Sequence, residues 1–230
     1  MSGARPLAAG LTASLSVATG YLPIAFSFGV AAVQAGLAPS IAVLASVLVY
    51  AGASQFLLIS LLASGAGLWT ALPTVLLMNA RHVLYGPALQ VVLGPRQRLA
   101  TPWLAFGLTD EVFATAMSKM QGVPEAEREH WFLGLQLGAY AAWVGGTVMG
   151  ATLVGEVDRW PAAVREALAF VLPALFFALL LEAGVLRWWR AVLTAAVVAA
   201  VLVCFIPGYH ALALAILCGA LAHAATADRG

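Results

Sequence analysis

The chain has 230 residues, of which 63% are hydrophobic and 9% are charged, and its 11 lysines and arginines nearly balance 10 aspartates and glutamates. Soluble domains carry about 25% charged residues, so this composition excludes an ordinary soluble protein. The balanced charge also gives no basic surface, and therefore predicts no nucleic-acid partner. Only helices and closed barrels satisfy their own backbone in lipid, and the long apolar runs favour helices. We expect an all-α integral membrane protein that passes the lipid bilayer several times.

The apolar runs predict a bundle of seven to eight transmembrane helices in a single domain, residues 1–230. In chain order the expected spans cover about 8–33, 40–64, 68–92, 101–118, 131–154, 163–186, 189–206 and 208–225. The hydrophilic segment 119–130 joins two halves, 1–118 and 131–230. Glycine and proline break some of these helices, and the first is expected to be kinked or broken near Gly20 and Pro23.

Two further patterns concern packing. The fifth span carries the pairs Gly134 and Gly138, and Gly146 and Gly150, a spacing of small residues that predicts a close crossing with another helix. A weak internal repeat also sets residues 39–69 beside residues 161–188. Transporters often contain such repeats and bind their substrate between broken helices. The pattern leaves open whether this repeat is parallel or inverted.

Polar side chains interrupt the third apolar run at Asn79, Arg81 and His82. An arginine at the centre of a bilayer costs at least ~2.5–3.5 kcal/mol, so it requires a partner or a water-filled cavity. The adjacent acids Asp110 and Glu111 in the fourth run are the available partners. Neighbouring helical residues project about 100° apart, so we expect the two acids to have separate roles. The pattern predicts a buried site with one cation and two anions.

The second apolar run carries a cluster of small residues in its middle, Tyr50-Ala-Gly-Ala-Ser-Gln-Phe56. Such a cluster allows another helix to approach closely, or allows the helix to open so that its amides point at an anion. In a continuous helix Tyr50 and Ser54 would share one face, and Gln55 would turn away from it. Both a packing seam and a binding segment fit this pattern.

These residues carry a resemblance to a known family. Tyr50 to Phe56, Met78-Asn-Ala-Arg-His-Val-Leu-Tyr85 and the pair Asp110-Glu111 resemble the AzlC family, also called the YgaZ-type branched-chain amino acid permeases. The resemblance covers most of the chain, and Ala80 stands where a larger apolar residue is expected. It implies a bacterial inner-membrane protein that exports valine, leucine and isoleucine together with a small membrane protein of the AzlD (YgaH) type.

A branched-chain amino acid is a zwitterion with an aliphatic side chain, so its site needs an anion-binding group, a cation-binding group and an apolar pocket. We expect the substrate to contact Gly52, Ser54, Gln55, Asn79, Arg81, Asp110 and Glu111. Arg81 and opened amides near Gly52 would face the carboxylate, and Asp110 or Glu111 would face the ammonium. Phe56 and Phe176 are expected among the apolar lining.

The sequence has no phosphate loop for ATP, so we expect export to be coupled to the proton gradient. Asp110, Glu111 and His82 are the expected proton carriers, because carboxylates and imidazoles in such surroundings can titrate near neutrality. The apolar runs contain no GxSxG, HExxH or metal-ligand cluster, so we predict neither an enzyme nor a cofactor or metal. The alternative is a structural membrane subunit or assembly factor whose buried charges only pin helices together.

Overall fold

A computed structural model describes residues 4–80, 82–94, 99–157, 159–167, 170, 174, 177, 185–206 and 208–227, and in these residues the chain is helical without strands. The α-helices are α1 Ala4–Ala13, α2 Leu15–Gln34, α3 Pro39–Leu48, α4 Gly52–Ala63, α5 Leu68–Asn79, α6 His82–Leu93, α7 Thr101–Ala105, α8 Asp110–Lys119, α9 Arg128–Val157, α10 Val185–Leu202 and α11 Gly208–Ala227. Two 3₁₀ turns, Met120–Gly122 and Glu125–Glu127, connect α8 to α9. Residues 162–167 are also helical.

Two helical segments of the described chain are long and apolar enough to cross a membrane unaided, Leu15–Gln34 and Glu125–Glu156. Shorter apolar helices cover Pro39–Leu48, Gly52–Ala63, Trp189–Leu202 and Leu214–Ala224. Most elements between these two long segments are helices of 5 to 12 residues, less than the ~20 residues that a single span needs. The expected number of seven to eight spans stays a prediction.

Three of the expected spans are each divided into two shorter helices. The break between α3 and α4 contains Tyr50, whose φ of 42° lies in the left-handed region and ends the helix. The second break follows Asn79, and the third precedes Asp110. For the second run, the alternative in which the helix opens at its small-residue cluster is the one found, whereas the breaks in the third and fourth runs were not expected. The freed backbone groups find partners elsewhere: for example, the Tyr140 hydroxyl donates to the carbonyl of Val47 at 3.0 Å.

The first expected span is divided at a different place from the predicted one. Helices α1 and α2 meet at Ser14, whose amide donates to the carbonyl of Gly10 at 3.0 Å, so helical bonding continues across the junction. Pro23 lies inside α2, which runs without interruption past Gly20. A break near these two residues is therefore wrong, while a kink there, the other predicted form, stays a prediction. A proline removes only one helix hydrogen bond, and the packing of α2 along α9 supports the remaining turns.

Helix α9 is the element against which the N-terminal part of the chain packs, since α1, α2 and α3 all contact it. Gly134 and Gly138 face α1 and its junction with α2, and Gly146 and Gly150 face α2. At Gly146 an added Cβ would lie 2.8 Å from the carbonyl oxygen of Leu22, so only glycine permits this approach. The predicted close crossing is confirmed, and it fixes α2 beside α9.

The C-terminal helices α10 and α11 pack against each other. The second copy of the predicted repeat, residues 161–188, falls largely outside the described residues, as does Phe176. The repeat and the division into two halves therefore stay predictions.

Candidate functional site

The three helix breaks meet at one cavity, which we call the narrow cavity. It is lined by Tyr21, Ile24, Tyr50, Ala51, Gly52, Ala53, Ser54, His82, Thr109, Asp110, Glu111 and Trp143. The break before α4 and the first turn of α4 supply five of these residues. The start of α6 supplies His82, and the cap and start of α8 supply Thr109, Asp110 and Glu111. The space inside that water can reach is about 40 Å³. Since one water needs about 10–15 Å³ by this measure, the cavity holds about three waters, the size of a charged head group.

Helices α4, α6 and α8 all begin at the narrow cavity. In α4 the first paired amide is that of Gln55, which donates to the carbonyl of Ala51 at 2.9 Å. The preceding amides of Gly52, Ala53 and Ser54 have no acceptor among the described residues. Free N–H groups and the positive end of the helix dipole both favour an anion at such a position. The start of α4 therefore gives the cavity an electropositive wall.

Glu111 is bound to helix α2. The Tyr21 hydroxyl donates to Glu111 Oε2 at 2.6 Å and lies 2.6 Å from Thr109 Oγ1. Because Tyr21 has one hydroxyl proton, the Thr109 hydroxyl must be the donor in the second contact. Thr109 in turn accepts from the amide of Val112 at 3.4 Å and caps α8. This chain of hydrogen bonds fixes the start of α8 against α2.

Asp110 has other partners, on helix α6. The Tyr85 hydroxyl donates to Asp110 Oδ1, and His82 Nε2 lies 3.8 Å from the same oxygen. The Tyr85 ring stacks on Phe113, with centroids 4.5 Å apart. Asp110 therefore connects α6 to α8, whereas Glu111 connects α2 to α8. These hydrogen bonds join the two acids to different helices, and their expected separate roles stay a prediction.

Ser54 and Asn79 connect two of the breaks. Ser54 is buried, and its hydroxyl donates to Asn79 Oδ1 at 2.5 Å. This bond joins the first turn of α4 to the last residue of α5. Arg81 lies outside the described residues, so its predicted pairing with Asp110 or Glu111 stays a prediction.

Gln55 is fully buried and does not line the narrow cavity. It accepts from Trp143 Nε1 at 2.9 Å and donates to Ser46 Oγ at 3.0 Å. Ser46 lies 2.7 Å from Thr147 Oγ1, and Thr147 donates to the backbone carbonyl of Trp143 at 3.1 Å. These four residues form a closed ring of hydrogen bonds that joins α3, α4 and α9. Gln55 thus holds Trp143, a wall of the cavity, in place.

A second, wider cavity lies between α2 and α8. Its volume is about 360 Å³, and it is lined by Ser16, Val17, Gly20, Tyr21, Ile24, Asp110, Glu111, Ala114 and Thr115. This volume falls within the range of about 300–1,000 Å³ that is usual for small-molecule sites. Tyr21, Ile24, Asp110 and Glu111 line both cavities. These four residues therefore form a border that the two cavities share.

Sequence reasoning missed several residues of the site. Thr109 had a local signal, because a threonine before two acids is a typical helix cap. Tyr21 and Trp143 had none, since their partners lie 90 and 88 residues away along the chain. Phe56, an expected lining residue, instead packs on Phe28 in a separate apolar cluster, with ring centroids 5.4 Å apart.

The fold and the cavities define a class: helical membrane proteins in which interrupted helices surround polar internal cavities. A family model described as "AzlC protein" matches residues 16–157. The chain is 42% identical over 180 residues to "Inner membrane protein YgaZ" of Escherichia coli strain K12, covering 78% of this chain and 74% of that protein. The chain belongs to the AzlC family, which confirms the resemblance carried by its motifs.

Two further relatives come from other organisms. An "Uncharacterized membrane protein" of Archaeoglobus fulgidus is 42% identical over 173 residues, covering 75% of this chain and 73% of that protein. The "Branched-chain amino acid transport protein AzlC" of Bacillus subtilis strain 168 is 26% identical over 171 residues, covering 74% of this chain and 64% of that protein. No solved structure matches the chain. The predicted location in the cell membrane is confirmed, and the family is one of membrane transport proteins.

Proposed function

We propose that the chain is a secondary transporter that exports branched-chain amino acids across the cytoplasmic membrane together with a small AzlD-type membrane protein. The observation that carries the proposal is the narrow cavity, where free amides at the start of α4 and the carboxylates of Asp110 and Glu111 line the same space. A zwitterion needs both kinds of group. The transport name of the relative from Bacillus subtilis supports this cargo.

In this proposal Arg81 and the amides of Gly52 and Ser54 face the substrate carboxylate, and Asp110 or Glu111 faces the ammonium. Arg81 takes this role from its sequence position, two residues after the last residue of α5 and directly before His82, which lines the cavity.

Two predicted contact residues take supporting parts. Asn79 acts through its bond to Ser54, and Gln55 acts through Trp143. Neither residue is among those that line the narrow cavity, so in the arrangement described each would position a residue that does.

The two cavities supply a route for the cargo. A transported molecule must be reached from one side of the membrane and then from the other, around a fixed site near the helix breaks. Because the acid pair lines both cavities, a substrate held there is adjacent to both. Breaking the hydrogen bond between Tyr21 and Glu111 would join the two spaces.

Proton coupling rests on the same residues. Asp110, Glu111 and His82 all line the narrow cavity, and the His82 and Asp110 side chains are 3.8 Å apart. A proton that reaches the acid pair from the wide cavity can therefore be passed toward the imidazole or back. Export against a gradient needs such a source of free energy, and an exchange of protons for substrate supplies it.

The proposal is tested by transport of labelled valine and leucine in membrane vesicles that contain Arg81→Ala or Asp110→Asn. Both variants are expected to lower the initial rate at least ~10-fold, because each removes a charge-assisted contact with the zwitterion. Glu156→Gln is the matched control, since the exposed Glu156 lines neither cavity and pairs with the exposed Arg159 at 2.8 Å. Unchanged transport in both site variants at normal abundance would reject the site.

The coupling has its own test. An imposed pH gradient should drive transport in vesicles without ATP, and dissipating the gradient should stop it. Dependence on ATP at constant proton gradient would contradict the proposed coupling and leave the site assignment standing. In the alternative, the chain is a structural subunit or assembly factor. Asp110→Asn would then lower the abundance of the membrane complex and leave the transport per molecule unchanged.

A further inference from the structure

We infer that the Tyr50 hydroxyl and the free amides of Gly52, Ala53 and Ser54 form a subsite for the carboxylate of the transported molecule. The inference rests on the proposed function for its amino acid cargo, and it adds a hydrogen-bond donor at the break between α3 and α4. Tyr50 would bind the substrate directly through its phenolic oxygen.

The hydroxyl of Tyr50 has an unusual position. The residue is only 7% exposed and lines the narrow cavity, and its oxygen makes no hydrogen bond of normal geometry among the described residues, although the Tyr21 and Thr109 hydroxyls lie near it. Buried polar groups without a partner are few in native proteins, and each calls for a physical reason. A ligand that accepts a hydrogen bond inside the cavity is such a reason.

The backbone of Tyr50 points to the same role. Its φ of 42° is a left-handed conformation that a tyrosine rarely adopts, and such conformations persist where the surrounding structure imposes them. The Tyr50 ring packs edge-on against Tyr21 and Tyr140, with centroids 6.4 Å and 4.9 Å away. Tyr140 also binds the carbonyl of Val47 at the end of α3. Ring packing on both sides therefore holds the break open beside the cavity that Tyr50 lines.

The neighbouring donors define the ligand chemistry. The amides of Gly52, Ala53 and Ser54 can only donate, so together with the Tyr50 hydroxyl they select an acceptor. The dipole of the 12-residue helix α4 favours a negative charge at this end.

The cavity also distinguishes between kinds of anion. A free inorganic anion would be repelled by Asp110 and Glu111 in the same space, whereas an amino acid brings its own ammonium to them. A carboxylate attached to a cationic group is thus the acceptor that fits the whole lining.

The test compares Tyr50→Phe with the control Tyr140→Phe, using the full chain in lipid nanodiscs. The ligands are valine, valinol, in which a hydroxymethyl group replaces the carboxylate, and isovalerate, which lacks the ammonium. We expect Tyr50→Phe to weaken valine binding about 10- to 100-fold, the usual value of one hydrogen bond to a charged group. Valinol binding should change less than about 2-fold by the same reasoning, and Tyr140→Phe should leave the valine-to-valinol ratio unchanged.

A second readout separates binding from folding. Because the hydroxyl makes no hydrogen bond of normal geometry within the protein, its removal should leave the melting temperature measured without ligand unchanged or raise it, while valine stabilises the variant less than the wild type. A merely structural tyrosine would instead lose stability when it becomes phenylalanine. The ratio of valine to valinol affinity does not depend on the amount of folded protein.

Equal valine binding by Tyr50→Phe and the wild type would overturn the inference, and so would equal binding of valine and valinol by the wild type. If the wild type binds isovalerate but not valine, and Tyr50→Phe weakens that binding, the carboxylate subsite stands and the amino acid cargo falls. A wild-type chain that binds none of the three ligands would overturn both the cargo and the subsite.

Discussion

The hydrogen bond from Tyr21 to Glu111 is expected to keep the narrow and wide cavities apart. Tyr21 is buried beside Trp143, with ring centroids 5.1 Å apart, and its hydroxyl lies 2.6 Å from Glu111 Oε2. Both residues line both cavities. The substitution Tyr21→Phe removes this bond and keeps the ring, so the separating layer loses its connection between α2 and α8.

The size of the effect follows from the contact. A hydrogen bond to a charged group contributes about 1.5–3 kcal/mol. Since Glu111 is exposed and water can replace the tyrosine, the lower end of this range applies, about 1.5 kcal/mol. A difference of that size shifts the equilibrium between closed and open forms about 10-fold. Tyr21→Phe should therefore admit a reagent from the wide cavity to the narrow one about 10 times faster.

The assay places a single cysteine in the narrow cavity. In a background with Cys204→Ala and Cys218→Ala, the variant Ala53→Cys reports on the cavity, because Ala53 lines it and is 9% exposed. The rate of modification by a small, membrane-impermeant thiol reagent is measured from each side of the membrane, with and without Tyr21→Phe. Tyr140→Phe, added to the same background, is the control. If Tyr21→Phe at normal abundance leaves the rate unchanged from both sides, the hydrogen bond does not separate the cavities.

Two further predictions concern stability. Gln55→Leu leaves the indole N–H of Trp143 without an acceptor and removes two buried hydrogen bonds. The free energy of unfolding in nanodiscs should therefore fall by about 2–4 kcal/mol. An unchanged value would mean that the closed ring of hydrogen bonds does not stabilise the protein. Gly150→Leu forces a side chain onto the carbonyl of Phe26 and should lower the free energy of unfolding by about 1–3 kcal/mol or more. In the control Gly155→Leu the new side chain points into open space, so stability should stay within ~0.5 kcal/mol of the wild type. Equal effects of the two substitutions would refute the close crossing of α2 and α9.

The sequence was sufficient for features that depend on local pattern. Apolar runs predict helices because the backbone must bond to itself in lipid, and the two glycine pairs of α9 predict the crossing because a spacing of four residues places both members of a pair on one face. The motif residues Gly52, Ser54, Asp110, Glu111 and His82 all line one cavity, although they come from three different helices. Their shared site was predictable because polar groups in an apolar chain must collect.

The helix breaks were not predictable in the same way. Tyr50 ends α3 because Tyr21 and Tyr140, distant in sequence, pack on its ring. Pro23 gives the stronger local signal for a break, yet α2 continues through it because α9 supports that helix. Such competition between local preference and distant contact is decided by tertiary structure. The part that Arg81 plays remains a sequence-based prediction.

The closed ring of Ser46, Gln55, Trp143 and Thr147 has a consequence for how this protein can diverge. Within the ring each residue gives one hydrogen to the next and receives one from the residue before, so all the donors point the same way round. Changing Ser46 or Gln55 removes the partner of the residue on each side, whereas changing Trp143 affects only Gln55, because Thr147 donates to the backbone carbonyl of Trp143. We therefore expect distant relatives either to keep polar partners at these positions or to replace them together by apolar residues. Sequences in which only some of the four positions are replaced should be few.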